Sequence, residues 1–152
     1  MTITGQDPHG SRSANQIPAT YIRGGTSKGV FFRLDDLPQS AQIPGPARDA
    51  LLLRVIGSPD PYGKQIDGMG GATSSTSKTV ILSRSIKPEH DVDYLFGQVS
   101  IDTAFVDWSG NCGNLSAAVG SFAISAGLVD SSLPLSLIEG GRPRSLTGPW
   151  AA

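Results

Sequence analysis

The 152-residue sequence predicts an α+β fold in which several strands form a sheet curled about one buried helix. Three observations lead there. First, Leu115 to Ala126 is small or apolar on every side of a helical wheel, and Gly127 follows in the usual post-helix position. A helix of about a dozen residues is too short to span a bilayer, so it must be covered by protein on all faces. Second, short runs of β-branched and aromatic residues recur along the chain. Third, residues 46–56 carry one clear amphipathic helix.

In chain order, residues 1–16 are polar and lack the apolar run of a secretory signal, which predicts a disordered leader in a soluble, cytoplasmic protein. Ile17 to Arg23 and Gly29 to Leu34 read as a hairpin joined by Gly24-Gly25-Thr26-Ser27-Lys28-Gly29. Two readings of that loop stand. It presents amides, Thr26, Ser27 and Lys28 to an anion, or it is a tight turn with an exposed lysine. Its glycine spacing is not that of a Walker A loop.

Asp35 to Gly45 is a connection, and Pro46 opens a helix as a first-turn proline. Leu51, Leu52, Val55 and Ile56 share its apolar stripe, Arg48, Asp49 and Arg54 turn to water, and Gly57 and Pro59 end it. Residues 59–77 form a long loop rich in glycine and hydroxyls, the kind that is functional or disordered more often than idle. It delivers Lys78 into the strand run Thr79 to Leu82. Burial there would strip water from the amine and suit it to act as a base, while a structural lysine is the alternative. Ser75-Thr76-Ser77-Lys78 matches the Ser-x-x-Lys pattern of acyl-enzymes only formally, because a strand rather than a helix follows. Val92 to Phe96 alternates as a half-buried strand, with one or two short strands up to Val106. Residues 131–152 mix proline, glycine and serine with scattered leucines and show no sustained period, as an irregular tail does.

Composition narrows the function. Net charge is −1 and only 16% of residues are charged, with no basic run, which excludes an extended nucleic-acid surface and a polybasic membrane patch. One cysteine precludes an intrachain disulfide and any cysteine pair for a metal, and His9 and His90 sit in polar, loop-like surroundings. The remaining chemistry centres on Asp107 to Asn114, where Gly110, Asn111, Gly113 and Asn114 surround Cys112 at the predicted helix start. Free amides and the helix dipole there favour negative charge, which suits a thiolate or a bound carboxylate. The competing reading makes Cys112 a small buried hydrophobe.

Three stretches carry more when taken together: Arg23 to Phe32, Gly68 to Ala72 through Ser77-Lys78, and Gly110 to Asn114. In this order and spacing the chain, from about Ile17 to Val129, resembles the 2-methylaconitate cis-trans isomerase family, related in fold to diaminopimelate epimerase. The resemblance implies two lobes, each a curled, mostly antiparallel sheet around a central buried helix, with the active site between them. It implies isomerisation of small unsaturated di- and tricarboxylic acids by allylic proton transfer, without cofactor or metal. On the family pattern Lys78 matches the proton-transferring base and Cys112 the cysteine at the helix start. Thr26, Ser27, Lys28, Gly71, Ser77, Asn111, Gly113 and Asn114 fall where the substrate's carboxylates would be held.

Members of that family are more than twice this length. The expectation is therefore an incomplete amino-terminal lobe at 17–130 followed by an unrelated tail at 131–152. Two further readings remain: a non-catalytic remnant that binds small carboxylates or associates with another copy, and, more weakly, a hydrolase or transferase with Cys112 as nucleophile. Neither histidine lies in a motif that would serve such a thiol.

Overall fold

The computed structural model describes residues 16–88 and 90–130, together with the backbone of 146–147. Apart from Gln16 and that short segment, the expected leader and tail lie outside the described residues. The strands are β1 (Thr20–Gly24), β2 (Ser27–Arg33), β3 (Lys78–Arg84), β4 (Val92–Val99) and β5 (Val106–Asp107), in that spatial order. Neighbours run antiparallel except β2 and β3, which are parallel, so the sheet is mixed. A two-residue β6 (Leu146–Thr147) adds in parallel beside Val92 and Asp93 of β4. The fold is α+β, as the sequence predicts.

Parallel pairing requires a crossover. Here it carries a single 3₁₀ turn, α1 (Gln39–Gln42), α2 (Pro46–Ile56) and the long loop to Ser77. Pro46 opens α2, and Gly57 closes it in the left-handed conformation at φ 85°, its amide donating to the Leu53 carbonyl. The stripe packs as expected, with Leu52 and Ile56 fully buried. Arg48 does not face water. It is 4% exposed and donates to the carbonyls of Ala41 and Gln42, while its neighbour Asp49 accepts from Trp108 Nε1 at 3.0 Å. A guanidinium can satisfy several carbonyls at once, so the end of α1 takes it in where the wheel would send it out.

Strand alternation sorts the core into two layers. On one face Phe31, Val80, Leu82, Tyr94 and Phe96 pack beneath α3 (Gly113–Ser116) and α4 (Val119–Ser125). On the other, Val30, Phe32, Ile81 and Val99 pack against Leu37, Ala41, Leu52 and Ile56. Helices therefore cover both faces of the sheet. The helix expected over 115–126 is broken at Ala117–Ala118, where the Ala118 amide bonds back only three residues to Leu115. Nor is it covered on every side: Ala117, Ser121 and Ser125 are exposed among the described residues. Small side chains make that stripe indistinguishable from core in sequence. Arg33 and Arg84 donate to the carbonyls of Ala126 and Gly127, satisfying the end of α4.

The loop before β3 is ordered by two residues that motif reading passed over. Gln65, 1% exposed, donates to Ser58 Oγ and accepts from the Ala72 amide and the Ser77 hydroxyl. Asp60 accepts from the amides of Tyr62, Lys64 and Gln65 at 2.9, 2.9 and 2.6 Å, which holds its carboxyl below the usual range. A depressed native pKa means that the unfolded loop binds the proton more readily. Anchoring is then complete above the ordinary aspartate value near 4 and is lost as the pH falls through the lower native value. We expect the three amide proton resonances to titrate together with a midpoint below about 4. In Asp60→Asn that titration should vanish; independent midpoints for the three amides would refute the shared anchor.

Candidate functional site

The site is assembled where β2 and β3 begin and β4 ends. The expected glycine-rich loop is in fact a two-residue turn, Gly25-Thr26, because pairing continues to Gly24 opposite Ser27. Ser27, Lys28 and Gly29 thus belong to β2, and their side chains alternate. Ser27 points to the face beneath α3, where it is 3% exposed. The Cys112 thiol, 7% exposed, donates to its hydroxyl at 3.7 Å.

Cys112 caps α3: its carbonyl accepts from the Ser116 amide, and its own amide donates to Asn111 Oδ1. The first-turn amides of Gly113, Asn114 and Leu115 have no acceptor within the helix. The hairpin turn docks directly on this helix start. Asn114 Nδ2 donates to Thr26 Oγ1 at 3.0 Å. A Cβ at Gly24 would stand 2.2 Å from the Asn114 carbonyl oxygen, so only glycine permits the approach.

Lys78 opens β3 on the same sheet face as Ser27, and Gly29 lies between them, flush against the Lys78 carbonyl and Leu115. Lys78 is only 9% exposed. Its Nζ donates to Gln98 Oε1 at 2.7 Å and stands 5.0 Å from the centroid of the Phe96 ring. Phe96 also faces the loop before α3, since a Cβ on Gly110 would lie 3.8 Å from its Cε1. Phe96, Tyr94 and Cys112 share one core cluster. Burial, and secondarily the proximity of Cys112, pushes the Tyr94 phenol above its usual range, so it stays a neutral O–H; it has no hydrogen-bond partner among the described residues.

Not every expected residue joins them. Alternation sends Lys28 to the opposite face, exposed, with its amide bonded to the Ser75 carbonyl. Ser77 is fully buried, its hydroxyl committed to Gln65 and the Thr73 carbonyl. Gly71 packs on the Thr76 side chain within the loop. Gln98, Phe96 and Tyr94 were missed by motif reading. Their only signal in the sequence is that they alternate along the strand facing Lys78. A depression of about 660 Å³ beside Arg54, Asp60 and Tyr62, and another of about 340 Å³ beside Arg33 and Phe122, contain none of these side chains. Among the described residues, no group of three potential metal-ligating side chains occurs and no helix is long and apolar enough to cross a membrane.

Residues 14–139 match the PrpF protein family model. The chain belongs to the PrpF family. Over 117 residues it is 87% identical to a 2-methyl-aconitate isomerase of Cupriavidus necator and 82% identical to one of Shewanella oneidensis. Each match takes in 77% of this chain but 30% of the relative. Among solved structures, the crystal structure of methylitaconate-delta-isomerase superposes with a TM-score of 0.69 at 49% identity, covering 78% of this chain and 29% of that one. The chain thus spans about a third of the length of the PrpF relatives it matches.

Proposed function

We propose that this chain carries one wall of the active site of a cofactor-independent isomerase that moves an allylic proton in small unsaturated di- or tricarboxylic acids of the 2-methylaconitate type. The observation that carries the reading is the placement of Lys78 and Ser27 at one end of one sheet face, with the Cys112 thiol at the start of α3 bonded to Ser27. The 87% identity to a 2-methyl-aconitate isomerase supports the substrate class.

In this reading the Lys78 amine takes a proton from the carbon next to the double bond. The electron pair left behind delocalises through the conjugated carboxylate, which frees the former double bond to rotate, and a proton returns. At the original carbon it gives the cis–trans isomer; at the far end of the allyl system it shifts the double bond. Donors already aimed at that carboxylate stabilise the dienolate more than the ground state. Thr26, Ser27, Asn111 and the amides near Gly113 and Asn114 supply them, and Cys112 is the candidate for returning the proton. Lys28, Gly71 and Ser77 then have structural roles in the hairpin and loop. The sheet would curl fully about α3 and α4, and a second lobe would close the cleft and exclude water, in the complete enzyme. The exposed stripe Ala117, Ser121 and Ser125 supports a further covering layer.

The same stripe supports a second reading, in which the chain binds small carboxylates or associates with another copy without turnover. Proton NMR of the purified chain with 2-methylaconitate in heavy water separates the two. We expect deuterium at the allylic positions and a moving cis–trans ratio. Saturable binding without exchange, from a sample with native amide dispersion, would sink the enzyme reading and favour the second.

A further inference from the structure

We propose that Gln98 is the positioning residue of Lys78, a role that rests on the reading of Lys78 as the base. In the β3–β4 register Lys78 lies directly opposite Gln98. The Gln98 amide is held at both ends: Nε2 donates to the Ser77 carbonyl at 2.9 Å and Oε1 accepts from Lys78 Nζ at 2.7 Å. Because a carbonyl can only accept, Ser77 dictates which end of the amide faces it, and this leaves Oε1 for the lysine. The network therefore has one orientation.

Its consequence is geometric. A lysine stem has four rotatable bonds and by itself places its nitrogen poorly. Here Oε1 takes one N–H and the Phe96 ring lies against another side of the nitrogen. Backbone pairing of β3 with β4 sets the separation. Nζ is thus fixed from the sheet side, which leaves its remaining direction for a reacting carbon. Gln98 touches no reacting atom and acts through Lys78.

The register that creates this device needs no support from it. The Ser77 carbonyl also accepts from the Val99 amide at 2.9 Å, so losing Nε2 does not orphan it. Gln98→Met keeps the length and shape of the side chain but can neither donate through nitrogen nor accept through a carbonyl. Gln98→Glu restores an acceptor for Nζ.

The test uses the full chain labelled with ¹⁵N-lysine. In the unaltered chain the Lys78 Nζ resonance should be motionally restrained, unlike those of exposed Lys28 and Lys64. In Gln98→Met it should become as mobile as theirs, with the backbone amide spectrum preserved, and Gln98→Glu should restore restraint. Allylic exchange should fall roughly 10- to 100-fold in kcat in Gln98→Met, with KM within about twofold, as expected when only the reacting geometry is lost. An Nζ equally restrained in Gln98→Met, or an unchanged kcat, would overturn the proposal. If the unaltered chain exchanges no allylic proton, the reading of this chain as an enzyme fails instead, and the nitrogen spectra decide the anchoring alone.

Discussion

Lys78→Ala is expected to lower allylic proton exchange by about 10²–10⁴-fold, the usual worth of a positioned general base, or about 3–5 kcal/mol in the barrier. The fold should survive. Lys78 stands at the first residue of β3, its backbone pairing does not depend on its side chain, and alanine leaves no charge buried. What alanine removes is the nitrogen beside Gln98 and Phe96. Loss should therefore appear in kcat, with substrate affinity changed far less, because carboxylate binding is assigned to the hairpin turn and the α3 start. Cys112→Ala supplies the complementary measurement. If Lys78 removes the proton and the thiol returns one at the other end of the allyl system, this variant still washes deuterium into the original position while the product with a shifted double bond falls. Exchange by Lys78→Ala at the unaltered rate would remove Lys78 from the mechanism.

Gly24→Ala should be among the most destabilising single-methyl changes in the chain. The new Cβ would meet the Asn114 carbonyl oxygen at 2.2 Å and the Leu115 Cα at 3.0 Å, and both are backbone, which cannot rotate aside. Either α3 or the hairpin must move. Overpacking of this kind costs about 1–3 kcal/mol, which for a chain of this size lowers Tm by roughly 2–12 °C. Because α3 carries Cys112 and the hairpin carries Ser27, the same shift should break the thiol–hydroxyl contact and quicken alkylation of Cys112. Thermal melting and the alkylation rate together check this. A Tm within about 1 °C of the unaltered chain would show that the approach is looser than the backbone geometry requires.

The contrast between these residues marks where sequence reasoning stops. Local rules were sufficient for α2, whose first-turn proline, apolar stripe and terminal glycine all belong to one helix and depend on nothing distant. They were also sufficient for the main strands and for the helix start after Cys112. They could not separate Ser27 from Lys28. Adjacent strand residues face opposite ways, and which face becomes the site depends on where α3 lands, 85 residues further along. Nor could they show that Arg48 turns inward, because its acceptors are carbonyls exposed only when α1 ends beside α2.

Gln98 and Gln65 are the clearest cases. An amide side chain carries no charge and no nucleophile, so nothing in composition or spacing singles it out. Its role arises only when partners outside its own stretch of chain fix both of its ends, Ser77 and Lys78 for one, Ser58, Ala72 and Ser77 for the other. The sequence by itself determined the family, through three stretches taken together, and α2 and the main strands, because their patterns lie in neighbouring residues. The tertiary structure decided which side chains meet, because strand pairing and helix docking bring together residues far apart in the chain.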